Sequence, residues 1–233
     1  MIPKYLTHPP TIVLILINLL TIYIALVEQG DVFVLMILYI IQGLIICFFH
    51  YFKVLRLEKI DTTDFEKNFN LTINGQKCTI NGLSLEEAKK KAANFFLFGF
   101  LFANFVYLIF IGAYIGITSD TIVFSEEGIF STGFILLIIG YFLTHAFSFI
   151  QSKEEAKKEV NLGNYLHEPF ARIIPMHLTI IIGGYFINTQ KENQFLLLIL
   201  FLIIKGIFDV HTHIQQHEKY LTPTKKATTK KKK

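Results

Sequence analysis

FLLLILFLIIKGIFDVHTHIQQH, residues 195–217, is the stretch on which the reading of this chain turns. The apolar run from Phe195 to Ile204 reads as a helix entering hydrocarbon, yet Lys205, Asp209, His213 and His217 follow it at steps of four. That spacing puts the four side chains along one helix face, with His211 about 200° round from Asp209 and pointing elsewhere. Phe195–Phe208 alone covers only about 21 Å at ~1.5 Å per residue, short of the ~30 Å of a bilayer core. The helix is therefore expected to run to about residue 213, with Lys205 and Asp209 within or just under the headgroup boundary. Ionisable groups are expensive there and are by default functional.

The rest of the chain supports a membrane setting. Of its 233 residues 52% are apolar and 15% aromatic, and the mean hydropathy is +0.49, outside the balance of a soluble domain. Apolar blocks occur at 11–27, 32–52, 95–117, 129–150, 173–187 and 195–208. Each approaches a spanning length, and each must be helical because the bilayer offers backbone groups no water. The expected fold is all-α, a multi-pass protein of the cell (inner) membrane with six transmembrane helices. The first block is read as a retained helix, because only Lys4 precedes it and no small-residue cleavage pattern follows.

Lysine and arginine cluster after the second block (Lys53, Arg56, Lys59), before the third (Lys89, Lys90, Lys91), after the fourth (Lys153, Lys157, Lys158) and in the tail. By the positive-inside rule these segments, and both termini, are cytoplasmic. The domain reading is helices one and two over 1–53, a cytoplasmic loop over 54–93, helices three to six over 94–217, and a disordered lysine-rich tail over 218–233. In the loop, Asn74-Gly75 and Asn81-Gly82 break β-branched runs and point to a small hairpin. Ser84 and Glu87 then have capping-box spacing at the start of the third helix. Cys47 and Cys78 lie too differently to form a disulfide framework. The tail lysines lack folded or aromatic context, so the expected partner is the lipid bilayer and not nucleic acid.

Four helices bring polar groups to one depth on this topology: His50 and Lys53 on the second, His145 and Ser148 on the fourth, Arg172 and His177 at the fifth, and Lys205, Asp209 and His213 on the sixth. A transition metal such as Zn²⁺ takes three or four N, O or S ligands, and His145, His177, Asp209 and His213 are the expected set. Ser148, Arg172 and Lys205 are then the expected catalytic groups of a metal-dependent hydrolase acting on a lipid-like ester or amide. A bound metal would polarise the carbonyl and lower the pKa of a water. Two other classes remain open: a small transporter or proton and ion relay, with a homo-oligomer compensating for few helices, and a haem protein with His145 and His177 as axial ligands. His8, His50, His167, His211 and His217 are read as interfacial or surface residues.

HEPFARIIPMHLTIIIGG at 167–184 and LIIKGIFDVHTHIQQHEK at 202–219 carry a family resemblance. They resemble an uncharacterised group of prokaryotic integral membrane proteins known only as a domain of unknown function, with the pattern P-[YF]-x-R-I-x-x-x-H-x-x-I-I-x-G-G and then K-x-x-x-D-x-x-x-H. THAFSF at 144–149 is similar to that group's S-H-G-x-S-F. The resemblance implies six helices and picks out His145, Ser148, Arg172, His177, Lys205, Asp209 and His213, with Gly183-Gly184 permitting close packing; it implies no activity. The second helix departs from it, with Gln42, Gly43, Cys47 and His50 at positions where only Lys53 is kept, and the third lacks the group's histidine.

Overall fold

A computed structural model describes residues 9–27, 32–63, 65, 72–73, 76–77, 80, 82–118, 131–172 and 191–221. It is mostly helical. The long helices are α1 (Pro9–Val27), α2 (Val32–Arg56), α3 (Leu85–Thr118) and α4 (Thr132–Gln151), with α7 (Lys191–Leu221) at the end. Three of these, over Val34–Arg56, Leu85–Ala113 and Thr132–Gln151, are long and apolar enough to cross a membrane, and Thr11–Val27 is a shorter apolar helix. The expected fifth helix at 173–187, with His177 and Gly183-Gly184, lies outside the described residues, as do Cys78 and the tail beyond 221.

The helix ends follow from local chemistry. Ser131 caps α4, its Oγ accepting from the Phe134 amide at 3.1 Å. The Ser84–Glu87 capping box forms in both directions at the start of α3: the Ser84 amide and hydroxyl donate to Glu87 Oε2 at 3.0 and 2.7 Å, and Ser84 Oγ accepts from the Glu87 amide at 3.4 Å. The last turn of α4 has no basic residue of its own. Its negative dipole end is met instead from α2: Lys53 Nζ donates to Ser148 Oγ at 3.0 Å, and Arg56 Nη1 donates to the Phe149 carbonyl at 2.9 Å with its guanidinium over that ring.

Four helices form a ring. Helix α1 packs on α4 and α7, α2 packs on α4, and Tyr39 of α2 meets Phe201 of α7 edge to face at 5.9 Å. Helix α3 lies outside the ring against α2. Its other face carries exposed Phe98, Phe102, Phe105 and Ile109, as suits lipid.

The connections at one end of the ring are joined by contacts that local patterning did not indicate. Strand β1 (Lys59–Asp61) pairs in parallel with a later strand at Glu159–Asn161, placing Asp61 beside Asn161. Between these strands in the chain come the antiparallel pair β2 (Thr72–Ile73) and β3 (Gln76–Lys77) flanking Asn74-Gly75, and the short helix α5 (Lys153–Ala156). The strand Glu159–Asn161 is β4; α6 (Leu162–His167) and a 3₁₀ turn (Glu168–Arg172) follow it. The loop after α2 is thus tied to the connection after α4, and does not stand apart. Lys89 of α3 reinforces this end, donating to the Leu57 carbonyl just beyond α2 at 3.0 Å.

The carboxylate of Asp61 accepts from the Thr63 amide and hydroxyl, both at 3.0 Å, and from Asn161 Nδ2 at 3.3 Å. The Thr63 backbone and then its hydroxyl hold the Asp61 carboxyl below its ordinary value; partial burial opposes this weakly, and Asn161 adds to it. A depressed folded-state pKa means the stabilisation is complete above the unfolded value near ~3.9 and is lost as pH falls through the lower folded value. Amide exchange at 59–61 and 159–161 is therefore expected to accelerate selectively below about pH 4. Asp61→Asn should remove that pH dependence, and an unchanged acid response in the variant would show that another group controls the pairing.

Candidate functional site

The ring encloses a polar cluster built from all four helices. Lys205, in the middle of α7, is buried, and so is Asp209 one turn on. Lys205 Nζ lies 2.9 Å from Asp209 Oδ2. That oxygen makes no other contact that a hydrogen bond would satisfy among the described residues, so the ammonium is its partner. The ammonium donates to Gln42 Oε1 of α2 at 2.9 Å and to the Tyr141 hydroxyl of α4 at 3.3 Å. It also lies 4.4 Å from the centre of the Tyr39 ring and 5.1 Å from that of Tyr141, within reach of cation–π attraction. The Tyr141 hydroxyl continues the chain to Thr21 Oγ1 of α1 at 3.1 Å.

Glycines make this convergence possible. A Cβ on Gly140 would overlap Ile17 Cδ1, one on Gly43 would meet Asn104 Oδ1 at 3.0 Å, and one on Gly206 would touch Asn18 at 3.6 Å. Each glycine adjoins a cluster residue in sequence: Gln42-Gly43, Gly140-Tyr141, Lys205-Gly206. At Gly140 and Gly206 the bare backbone lets α1 come close to α4 and α7, so that Thr21 reaches Tyr141; Gly43 instead makes room for α3 outside the ring. On α1, Asn18 and Thr21 turn their amide and hydroxyl back to the Leu14 and Ile17 carbonyls at 2.9 and 2.8 Å, which satisfies their donors within the helix.

The expected site residues divide among three places. Lys205 and Asp209 lie at the centre of the cluster. His213 is buried a turn beyond them, and His145 is buried on α4 one turn from Tyr141. Ser148 is buried too, but the hydrogen bond to its Oγ comes from Lys53. Arg172 ends the 3₁₀ turn, and His177 lies outside the described residues. Among the described residues no three His, Cys, Asp or Glu side chains gather as a metal-holding group. The donors that do gather around Lys205 are a carboxylate, an amide and a phenol, which are hard oxygens.

His50 is a correction to the sequence reading, which left it at the headgroup surface. It is buried, with its ring 4.7 Å from Phe96 and stacked at 4.9 Å on Tyr165 of α6. The folding back of α6 over the end of α2 supplies that cover. Sequence reasoning missed Tyr39 and Tyr141, buried among many other aromatic residues, and it treated Gln42 only as a departure from a pattern. The available signals were the glycine next to Gln42 and Tyr141 and the Asn18/Thr21 pair in an otherwise apolar helix.

The sequence profile of a family of unknown function (DUF6498) matches residues 2–226. The chain belongs to that family. No curated protein matches the chain, and no solved structure does. Membership covers all five long helices and the polar cluster between them, and it attaches no activity to either.

Proposed function

We propose that this family member is a six-helix, multi-pass protein of the cell (inner) membrane with both ends cytoplasmic, and that it acts as a small ion relay or transporter. The observation that carries this reading is the buried Lys205–Asp209 pair inside the helix ring, linked through Tyr141 to Thr21. A charge pair in apolar surroundings is a costly element for structure alone. As a working element it serves better, because a cation approaching Asp209 offers the carboxylate an alternative partner while the Lys205 ammonium keeps its contacts to Gln42 and Tyr141. The hydroxyl and amide groups from α1, α2 and α4 would provide intermediate contacts along the way.

The test is ion flux in reconstituted vesicles containing a trapped pH-sensitive dye, under imposed proton, sodium or potassium gradients. Protein-dependent dissipation of one gradient is expected, falling on the order of tenfold in Lys205→Met/Asp209→Leu. That variant is neutral and packs apolar groups in place of the pair, so it separates relay from scaffold. Flux equal to that of protein-free vesicles, or unchanged in the double variant, overturns the reading. Elemental analysis of the same preparations addresses the competing class. About one zinc per chain, lost in His145→Ala/His213→Ala, would favour a metal-dependent hydrolase of a lipid-like substrate, with His177 as the further ligand.

A further inference from the structure

Rest on the relay reading, and the surroundings of Lys205 say more about what is relayed. An ammonium has three N–H donors, and Lys205 Nζ has three oxygens around it: Asp209 Oδ2 and Gln42 Oε1 at 2.9 Å and the Tyr141 hydroxyl at 3.3 Å. One of the three is anionic. The faces of Tyr39 and Tyr141 line the remaining approach. Oxygen ligands with a single carboxylate suit a singly charged hard cation; a divalent one would draw more negative charge, and the aromatic walls add an attraction that ammonium-type ligands exploit. Independently, Tyr39, whose ring faces the ammonium, has a buried hydroxyl with no hydrogen-bond partner among the described residues. A buried hydroxyl left over in this way can take one more polar partner.

We infer that the cradle formed by Asp209, Gln42, Tyr141 and Tyr39 is a binding site for a monovalent cation of the size of ammonium or potassium, and that Lys205 occupies it as a tethered substitute. Free cation and lysine exclude each other there. Exchanging one for the other leaves the net charge of the cradle unchanged, so Asp209 stays paired, and the displaced Lys205 ammonium must leave the apolar interior for the exchange to complete. The Lys205 side chain thereby closes the site in the state described.

Removing the tether should open the site. Lys205→Ala, purified in detergent, is expected to melt about 3–6 °C higher when ammonium or potassium chloride at ten times its dissociation constant replaces tetramethylammonium chloride at equal ionic strength. The wild type, with its own ammonium in place, should not shift. Lys205→Ala/Asp209→Ala should not shift either, and a rise in that control equal to the rise in Lys205→Ala would make it a general salt effect and overturn the inference. So would a folded Lys205→Ala that responds to no monovalent cation, even with the vesicle flux intact, in which case the relay reading survives and this site does not. Should Lys205→Ala fail to fold in tetramethylammonium, recovery of the folded protein in ammonium supports the site, and failure to recover in any of these cations overturns it.

Discussion

Asp209→Asn is expected to destabilise the protein by about 3–5 kcal/mol, because it leaves the Lys205 ammonium in the helix ring without its counter-charge. Gln42 and Tyr141 still accept from it, but neutral dipoles do not replace a carboxylate in surroundings with no water to screen the charge. The loss should be largely reversed in Lys205→Met/Asp209→Leu, since replacing a buried pair by apolar groups of similar volume is often neutral or stabilising. Melting of the purified single and double variants measures both. If Asp209→Asn melts with the wild type, the pair is solvated and the cluster is not the closed interior described. A double variant as unstable as the single would mean that Lys205 or Asp209 has packing duties beyond its charge.

The second large effect concerns the approach of α1 to α4. Gly140→Ala places a methyl that overlaps Ile17 Cδ1, and Ile17 is buried between the helices. Overpacking of this kind costs about 1–3 kcal/mol. The offending atom is the one carbon that distinguishes Ile from Val along that branch, so Ile17→Val should behave oppositely in the two backgrounds. Alone it removes a buried methyl and costs about 0.5–1.5 kcal/mol; beside Gly140→Ala it relieves the overlap and restores stability. A double-mutant cycle on melting measures the coupling, expected to be favourable and of order 1 kcal/mol. Simple additivity would mean that α1 shifts freely, and the Thr21–Tyr141 contact would then not depend on Gly140.

The long helices were legible because their causes are local. Apolar runs of spanning length other than 173–187, the Ser84–Glu87 capping box and the Lys205–Asp209 pair after Ile204 can all be read within a few residues, and each has its counterpart among the described elements. Their ends were less legible. The amphipathic start of α3 and the polar end of α7 carry these helices well past the hydrocarbon-length blocks, since helical hydrogen bonding continues wherever water can solvate the side chains. That Lys205 and Asp209 stand one turn apart as a charged pair was also readable, because charges within an apolar helix face are rare and costly enough to stand out.

What joins those two residues to the rest of the chain was not readable. Lys205 and Gln42 are 163 residues apart, and Thr21 and Tyr141 are 120 apart; no periodicity relates such pairs, and Gln, Thr and Tyr are common enough to be invisible singly. The same holds for the parallel pairing of β1 with β4 and for the burial of His50 under Tyr165. By itself the sequence determined that the chain forms apolar helices, and that one of them carries a charged pair, because hydropathy, capping and i,i+4 spacing act through neighbouring residues. Only the tertiary structure decided which oxygens surround the ammonium, because that depends on which helices meet, at Gly140 and Gly206 among other places, and close approach is a property of two backbones at once.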